Sequence, residues 1–157
     1  MLNAANSGDV RSIQSLVRAR CVDIDYRYDQ FRELESESKS LLFFAILEGD
    51  YELAQTLLKL GANPNTAIHQ ICHQDKTGEL LKFMITECGA DVQLILPDGT
   101  TPLHVAAEIG NIEVVKILLE ANADASAANN DRYLPVGLAA MNDHHEIVDL
   151  LLAEDDN

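Results

Sequence analysis

Apolar positions along residues 101–119 fall in two helical stretches separated by a break. Leu103, Ala106 and Ala107 share one helical face, and Val114, Val115, Ile117, Leu118 and Leu119 mark the buried side of a second helix. The same order returns 33 residues later, where TPLHVAAEIGNIEVVKILL (101–119) pairs with LPVGLAAMNDHHEIVDLLL (134–152). It also stands upstream as SLLFFAILEGDYELAQTLL (40–58). A looser copy is TAIHQICHQDKTGELLKFMI (66–85), with one extra residue between its two helical stretches. A decayed copy opens the chain with Ala4-Ala5, Gly8 and the run from Val10 to Val17. A fixed period of this length is the mark of a repeat architecture.

Each copy has the same physical grammar. Thr101 is a good N-cap, because its hydroxyl can accept from an exposed first-turn amide. Pro102 takes the first helical position, where its missing N–H costs nothing. Gly110 ends the first helix with a residue that tolerates left-handed backbone. That helix has about eight residues, below the ~12–15 an isolated helix needs in water. Neither helix of a copy can stand alone, so stacking on the next copy must supply the stability.

These residues resemble the ankyrin repeat. The carriers are Thr101-Pro102-Leu103-His104, Ala106-Ala107, Gly110, Glu113-Val114-Val115 and Ala123-Asp124, with Gly61-Ala62-Asn63-Pro64-Asn65 and Gly89-Ala90-Asp91-Val92 at the exits of other copies. The resemblance implies an all-α solenoid: about five stacked helix pairs, the first partial, with hairpin-like fingers projecting at right angles. It implies a concave face made by the fingers and the first helices. It also implies that His69 and His104 bond neighbouring loops. The positions that vary between binders of the family are the finger tips and the two residues after the Ala-Ala pair. Carried over, those pairs are Asn6-Ser7, Leu47-Glu48, His73-Gln74, Glu108-Ile109 and Met141-Asn142.

The departures from the pattern matter as much. The first copy begins inside its first helix, as an atypical terminal repeat or a truncation. The finger that follows it is long, with Tyr26, Tyr28 and Phe31 beside acids and arginines; it is either a contact surface or a loop packed back on the first copy. The next finger is nearly absent, since Asn65 leads straight into Thr66. The one before the fourth copy is apolar through Leu94, Ile95 and Leu96, then turns at Pro97-Asp98-Gly99. Leu94 to Leu96 are a strand edge, packing between fingers or an exposed contact for a partner. The last finger ends in Asn129-Asn130-Asp131-Arg132-Tyr133, with Arg132 where the family has Gly, so a turn of different shape is expected there.

Charge narrows the partners. The 157 residues hold 26 acids and 11 bases, a formal net charge of −15. Residues 121–157 carry eight acids against the single base Arg132. Such a surface repels a phosphate polymer, so nucleic acid is not expected. The acids are either a solvated surface or a field that steers a basic partner. The apolar content of 47% is too high for a disordered acidic tail. No run has the ~18 uncharged apolar residues of a membrane helix. The first residues lack the basic start and apolar stretch of a secretion signal. Three widely spaced cysteines, Cys21, Cys72 and Cys88, do not make a disulfide framework. An intracellular location, cytoplasmic or nuclear, with reduced thiols is expected.

Candidates for chemistry are few. His69, Cys72 and His73 stand at i, i+3 and i+4, a spacing that could ligate zinc, but no fourth ligand is evident. Cys72 reads better as a small core residue. His144 and His145 adjoin on a turn. There is no GxGxxG and no GxxxxGK[ST]. No metal, cofactor or catalytic residue is expected.

The expected reading is one repeat domain over 1–157, with repeats at about 1–26, 27–65, 66–93, 94–126 and 127–157. Its function is non-catalytic binding of another protein, as an adaptor or as an inhibitor by occlusion. The partner-contacting residues are Tyr26, Tyr28, Phe31, Leu47, Glu48, His73, Gln74, Leu94, Leu96, Asp98, Glu108, Ile109, Tyr133, Met141 and Asn142. The partner has a basic surface, and the chain is a monomer, with a dimer through an uncapped end as the alternative. The second reading is a segment of a larger scaffold or effector; an enzyme is a remote third.

Overall fold

A computed structural model describes residues 40–155, with side chains as far as Ala153. The opening copy and the long finger with Tyr26, Tyr28 and Phe31 lie outside the described residues. The chain forms two compact units, Met1–Ala67 and Ile68–Asn157.

In the first unit, α1 (Leu41–Leu47) and α2 (Tyr51–Lys59) pack against each other. Ser40 caps α1 by accepting from the Phe43 amide, and Asp50 caps α2 by accepting from the Leu53 amide. Leu42, Ala45 and Ile46 of α1 and Leu53, Ala54, Leu57 and Leu58 of α2 are buried. The near-absent finger is a single 3-10 turn, Pro64–Thr66. It brings the hydroxyl of Thr66 within 2.7 Å of the Ser40 hydroxyl.

In the second unit three helix pairs follow: α3 (Ile68–Gln74) with α4 (Glu79–Thr86), α5 (Pro102–Ile109) with α6 (Ile112–Glu120), and α7 (Pro135–Met141) with α8 (His145–Asp155). The first helices α3, α5 and α7 touch in sequence, as do the second helices α4, α6 and α8, so the unit has two layers. Ile68, Ile71, Leu81, Met84, Leu103, Ala106, Leu118, Ile147 and Leu151 form the core between them. Ile117 and Leu119, expected on the buried side of their helix, are only half-buried. Among the described residues there are eight α-helices and no strand, which is the all-α class expected.

The pairs are held in register by polar side chains. Thr101 and His104 form a reciprocal cap at the start of α5, the Thr101 amide donating to His104 Nδ1 at 3.2 Å. His104 Nε2 then reaches the Tyr133 carbonyl of the next loop at 2.9 Å. His69 Nε2 reaches the Thr100 carbonyl at 3.2 Å. Both histidines bond neighbouring loops, as the resemblance implied.

The extra residue in the third copy is absorbed around Asp75. Its carboxylate is buried and accepts from the amides of Thr77, Gly78, Leu80 and Leu81 and from the Thr77 hydroxyl. One side chain thus caps α4 from four residues before the helix begins, a place where α2 and α6 use the adjoining Asp50 and Asn111. Gly78 makes the turn at φ +72, and a Cβ there would run into Ile117 Cδ1.

Candidate functional site

The residues that the repeat grammar leaves free of packing duty decide what the chain can touch. In the second unit, they sit at the ends of the first helices and in the two loops that precede α5 and α7. The last turns of α3, α5 and α7 carry the variable pairs. His73, Glu108, Ile109, Met141 and Asn142 are exposed, and Gln74 is half-buried. Ile109 exposes 37% of its surface and Met141 63%. Both leave apolar surface in water at a helix end, and burying it against another protein is favourable.

The two loops are closed by their own hydrogen bonds. In the loop before α5, the Leu96 amide donates to the Thr100 carbonyl and the Gly99 amide to the Leu96 carbonyl, each at 2.9 Å. The Asp98 carboxylate accepts the Thr100 amide at 2.9 Å, and this bond holds it below the usual carboxylate range. The loop before α7 repeats the geometry, with Asn129 N to Tyr133 O at 3.0 Å and Arg132 N to Asn129 O at 2.9 Å. The expectation that Arg132 would change the shape of this turn is therefore corrected. Arg132 takes the left-handed backbone of a glycine (φ 66), and the hydrogen bonds of the turn are kept. The two loops are tied together by Asn130, whose amide donates to the Asp98 carbonyl at 2.9 Å and whose Nδ2 donates to the Pro97 carbonyl at 3.1 Å. Lower down, Gln93 bridges them through the Asn122 carbonyl and the Asp124 amide.

Of the loop candidates, Asp98 and Tyr133 are exposed, whereas Leu94 and Leu96 are half-buried. Ile95 between them is 64% exposed and was not among the candidates. The signal was present: in an extended run, alternate side chains face opposite ways, so one of the three must differ from the other two. Leu134, also missed, is exposed at the N-cap of α7, where Thr101 stands buried in α5. In the first unit, Leu47 and Glu48 are exposed at the end of α1.

The side chains considered for chemistry are otherwise engaged. His69 bonds the Thr100 carbonyl, Cys72 is wholly buried and His73 faces water. Burial pushes the Cys72 thiol well above its ordinary pKa, and the charge of Asp75 adds to the shift. His144 lies over Gly110 and places Nε2 at 3.1 Å from the Glu108 carbonyl. Among the described residues no group of three His, Cys, Asp or Glu side chains could hold a metal ion, and no helix is long and apolar enough to cross a membrane.

Known proteins resemble this chain in sequence. The Notch-regulated ankyrin repeat-containing protein of Homo sapiens is 30% identical over 106 residues, 65% of this chain and 93% of that protein. Delta-latroinsectotoxin-Lt1a of Latrodectus tredecimguttatus is 33% identical over 81 residues, 47% of this chain but 7% of the toxin. Transient receptor potential cation channel subfamily A member 1 of Homo sapiens is 24% identical over 155 residues, 95% of this chain and 13% of the channel subunit. The chain thus spans nearly all of one relative and a small part of the other two. The family model of ankyrin repeats, in three copies, matches residues 68–157. Ankyrin repeats are a protein–protein interaction fold, generally without catalysis. On the three stacked helix pairs, the histidine-tied loops and this match, the chain belongs to the ankyrin-repeat family.

Proposed function

We propose that the chain binds a partner protein through the ends of its first helices and the tips of its loops, and acts by covering that partner's surface, as an inhibitor or adaptor. The observation that carries this reading is the exposure of Ile109 and Met141 at helix ends where the fold has no use for an apolar side chain. Glu108 adjoins the first of them and Asn142 the second, a mixture of apolar anchor and polar rim that suits a protein surface. In the second unit the set extends to His73, Gln74, Leu94, Leu96, Asp98 and Tyr133; the candidates of the first unit are Leu47 and Glu48. The net charge of −15 favours a partner with a basic surface. The location that goes with this reading is the cytoplasm or nucleus, and the form is a monomer.

A second reading is supported by the relatives. The chain matches 13% of a channel subunit and 7% of a toxin, so the same repeats also serve as parts of much larger proteins. In that reading they are the docking segment of a scaffold or effector.

Affinity capture with the wild type, Ile109→Arg and Met141→Arg side by side tests the first reading. A partner held by the wild type and lost by both variants supports it. A partner retained by both places the binding surface elsewhere.

A further inference from the structure

Arg132 occupies the position that Gly99 holds one repeat earlier. Both have left-handed backbone, φ 66 and φ 83, and both donate their amide to the carbonyl three residues before at 2.9 Å. Glycine adopts this geometry freely; a residue with a long side chain does so against steric resistance. The other non-glycine residues with positive φ are Asn122 and Asp143, whose short polar side chains tolerate it. Among the described residues Arg132 is the one long side chain held this way. Strain that the fold does not require points to a use for the side chain.

The geometry around it is that of a prepared contact. Asn129 Oδ1 accepts the amides of Asp131 and Tyr133, and Asn130 pins the tip to the preceding loop. The Arg132 side chain is exposed, and among the described residues its guanidinium makes no hydrogen bond or ion pair. The Tyr133 ring beside it is 42% exposed. Eight acids and no other base share residues 121–157 with it.

We propose that Arg132, carried on a hydrogen-bonded turn, is an anchor for a carboxylate side chain on the partner protein. This rests on the reading of the loop tips as a binding surface given above. The acidic field attracts any basic surface and by itself discriminates poorly. One guanidinium set into that field repels a partner that is basic throughout and favours one with Asp or Glu at this point, so it selects by difference. A guanidinium takes a carboxylate through two parallel hydrogen bonds, which fixes orientation as well as charge. The pinned turn has already ordered the backbone, so less freedom is lost on binding.

The test uses random linear peptides displayed on phage and selected on the full chain. Enriched peptides are synthesised and measured against the wild type, Arg132→Gly, Arg132→Lys and Met141→Arg. The expected peptides carry Asp or Glu, and changing it to Asn or Gln costs about tenfold in affinity. Arg132→Gly loses about the same factor with its melting temperature unchanged or raised, and Arg132→Lys keeps part of the affinity. Binding by Arg132→Gly equal to wild type, while Met141→Arg binds no peptide, overturns the anchor and leaves the surface standing. Full binding by both variants overturns the surface and the anchor with it. A lowered melting temperature of Arg132→Gly overturns the strain argument on which the anchor is built.

Discussion

Asn111 donates from Nδ2 to the main-chain carbonyl of Asp75 at 2.7 Å. The bond joins the turn between α3 and α4 to the start of α6, and so ties two consecutive repeats at a point away from the loops. Both residues act twice, for Asn111 also caps α6 and the Asp75 carboxylate caps α4. Register between these two repeats and the starts of α4 and α6 thus depend on the same two residues.

Asp75→Ala leaves several buried amides without an acceptor. The expected loss is about 3 kcal/mol. Asn111→Ala removes one bond and a cap, for about 1–2 kcal/mol. Urea unfolding followed by circular dichroism should show the midpoint falling further for Asp75→Ala than for Asn111→Ala. An equal fall would mean that the carboxylate is not the centre of this turn.

Exposure separates the binding residues from the core. Ile109→Arg and Met141→Arg should stay within about 0.5 kcal/mol of wild-type stability, because surface changes away from special features cost little. Leu118→Ala, at a fully buried position, should cost about 2–5 kcal/mol. Thermal unfolding of the three variants checks the contrast, and unfolding of either arginine variant at room temperature would show that its side chain is part of the core.

If the acids steer a basic partner, association should slow as salt rises, with dissociation changed less. Stopped-flow or surface binding at low and high ionic strength measures this. An association rate insensitive to salt would assign the acids to solubility alone.

Acid stability carries a local signature. The Ser126 hydroxyl donates to Asp124 Oδ1 at 2.7 Å, and with the Ser126 amide it holds this carboxyl below its ordinary value; Asp98 is lowered in the same direction by the Thr100 amide. A carboxyl lowered in the folded state contributes stability that is present above its unfolded value. That contribution is lost as pH falls through the folded value. Both groups are at the surface, so the contribution is small. Ser126→Ala should move the Asp124 titration upward in a carbon-detected NMR titration and leave Asp98 where it is.

Thiol reactivity should follow burial. Cys88 is half-buried and Cys72 wholly so, and burial raises both thiols, Cys72 the more. Alkylation of the native chain should modify Cys88 before Cys72, with the order lost in urea. Peptide mass spectrometry reads the two sites separately.

The period of 33 residues, the caps at Ser40 and Thr101 and the apolar faces of the second helices already specify a stack of short helix pairs, because no helix of this length survives without a neighbour. The same alignment located the variable positions, and Leu47, Ile109 and Met141 are indeed exposed. What the pattern could not supply was anything that depends on a second element. Asp75 reads as one more surface acid until four amides of the following turn and helix converge on it. Alternation sets Ile95 apart from Leu94 and Leu96, but which side faces water is decided only when the loop folds. Arg132 looked like a break in the turn, yet the hydrogen bonds from Asn129 and Asn130 hold its backbone in the glycine geometry. Local sequence carries periodicity and capping; where a polar group finds its partner, and which way a loop residue points, are settled only when distant segments close around them.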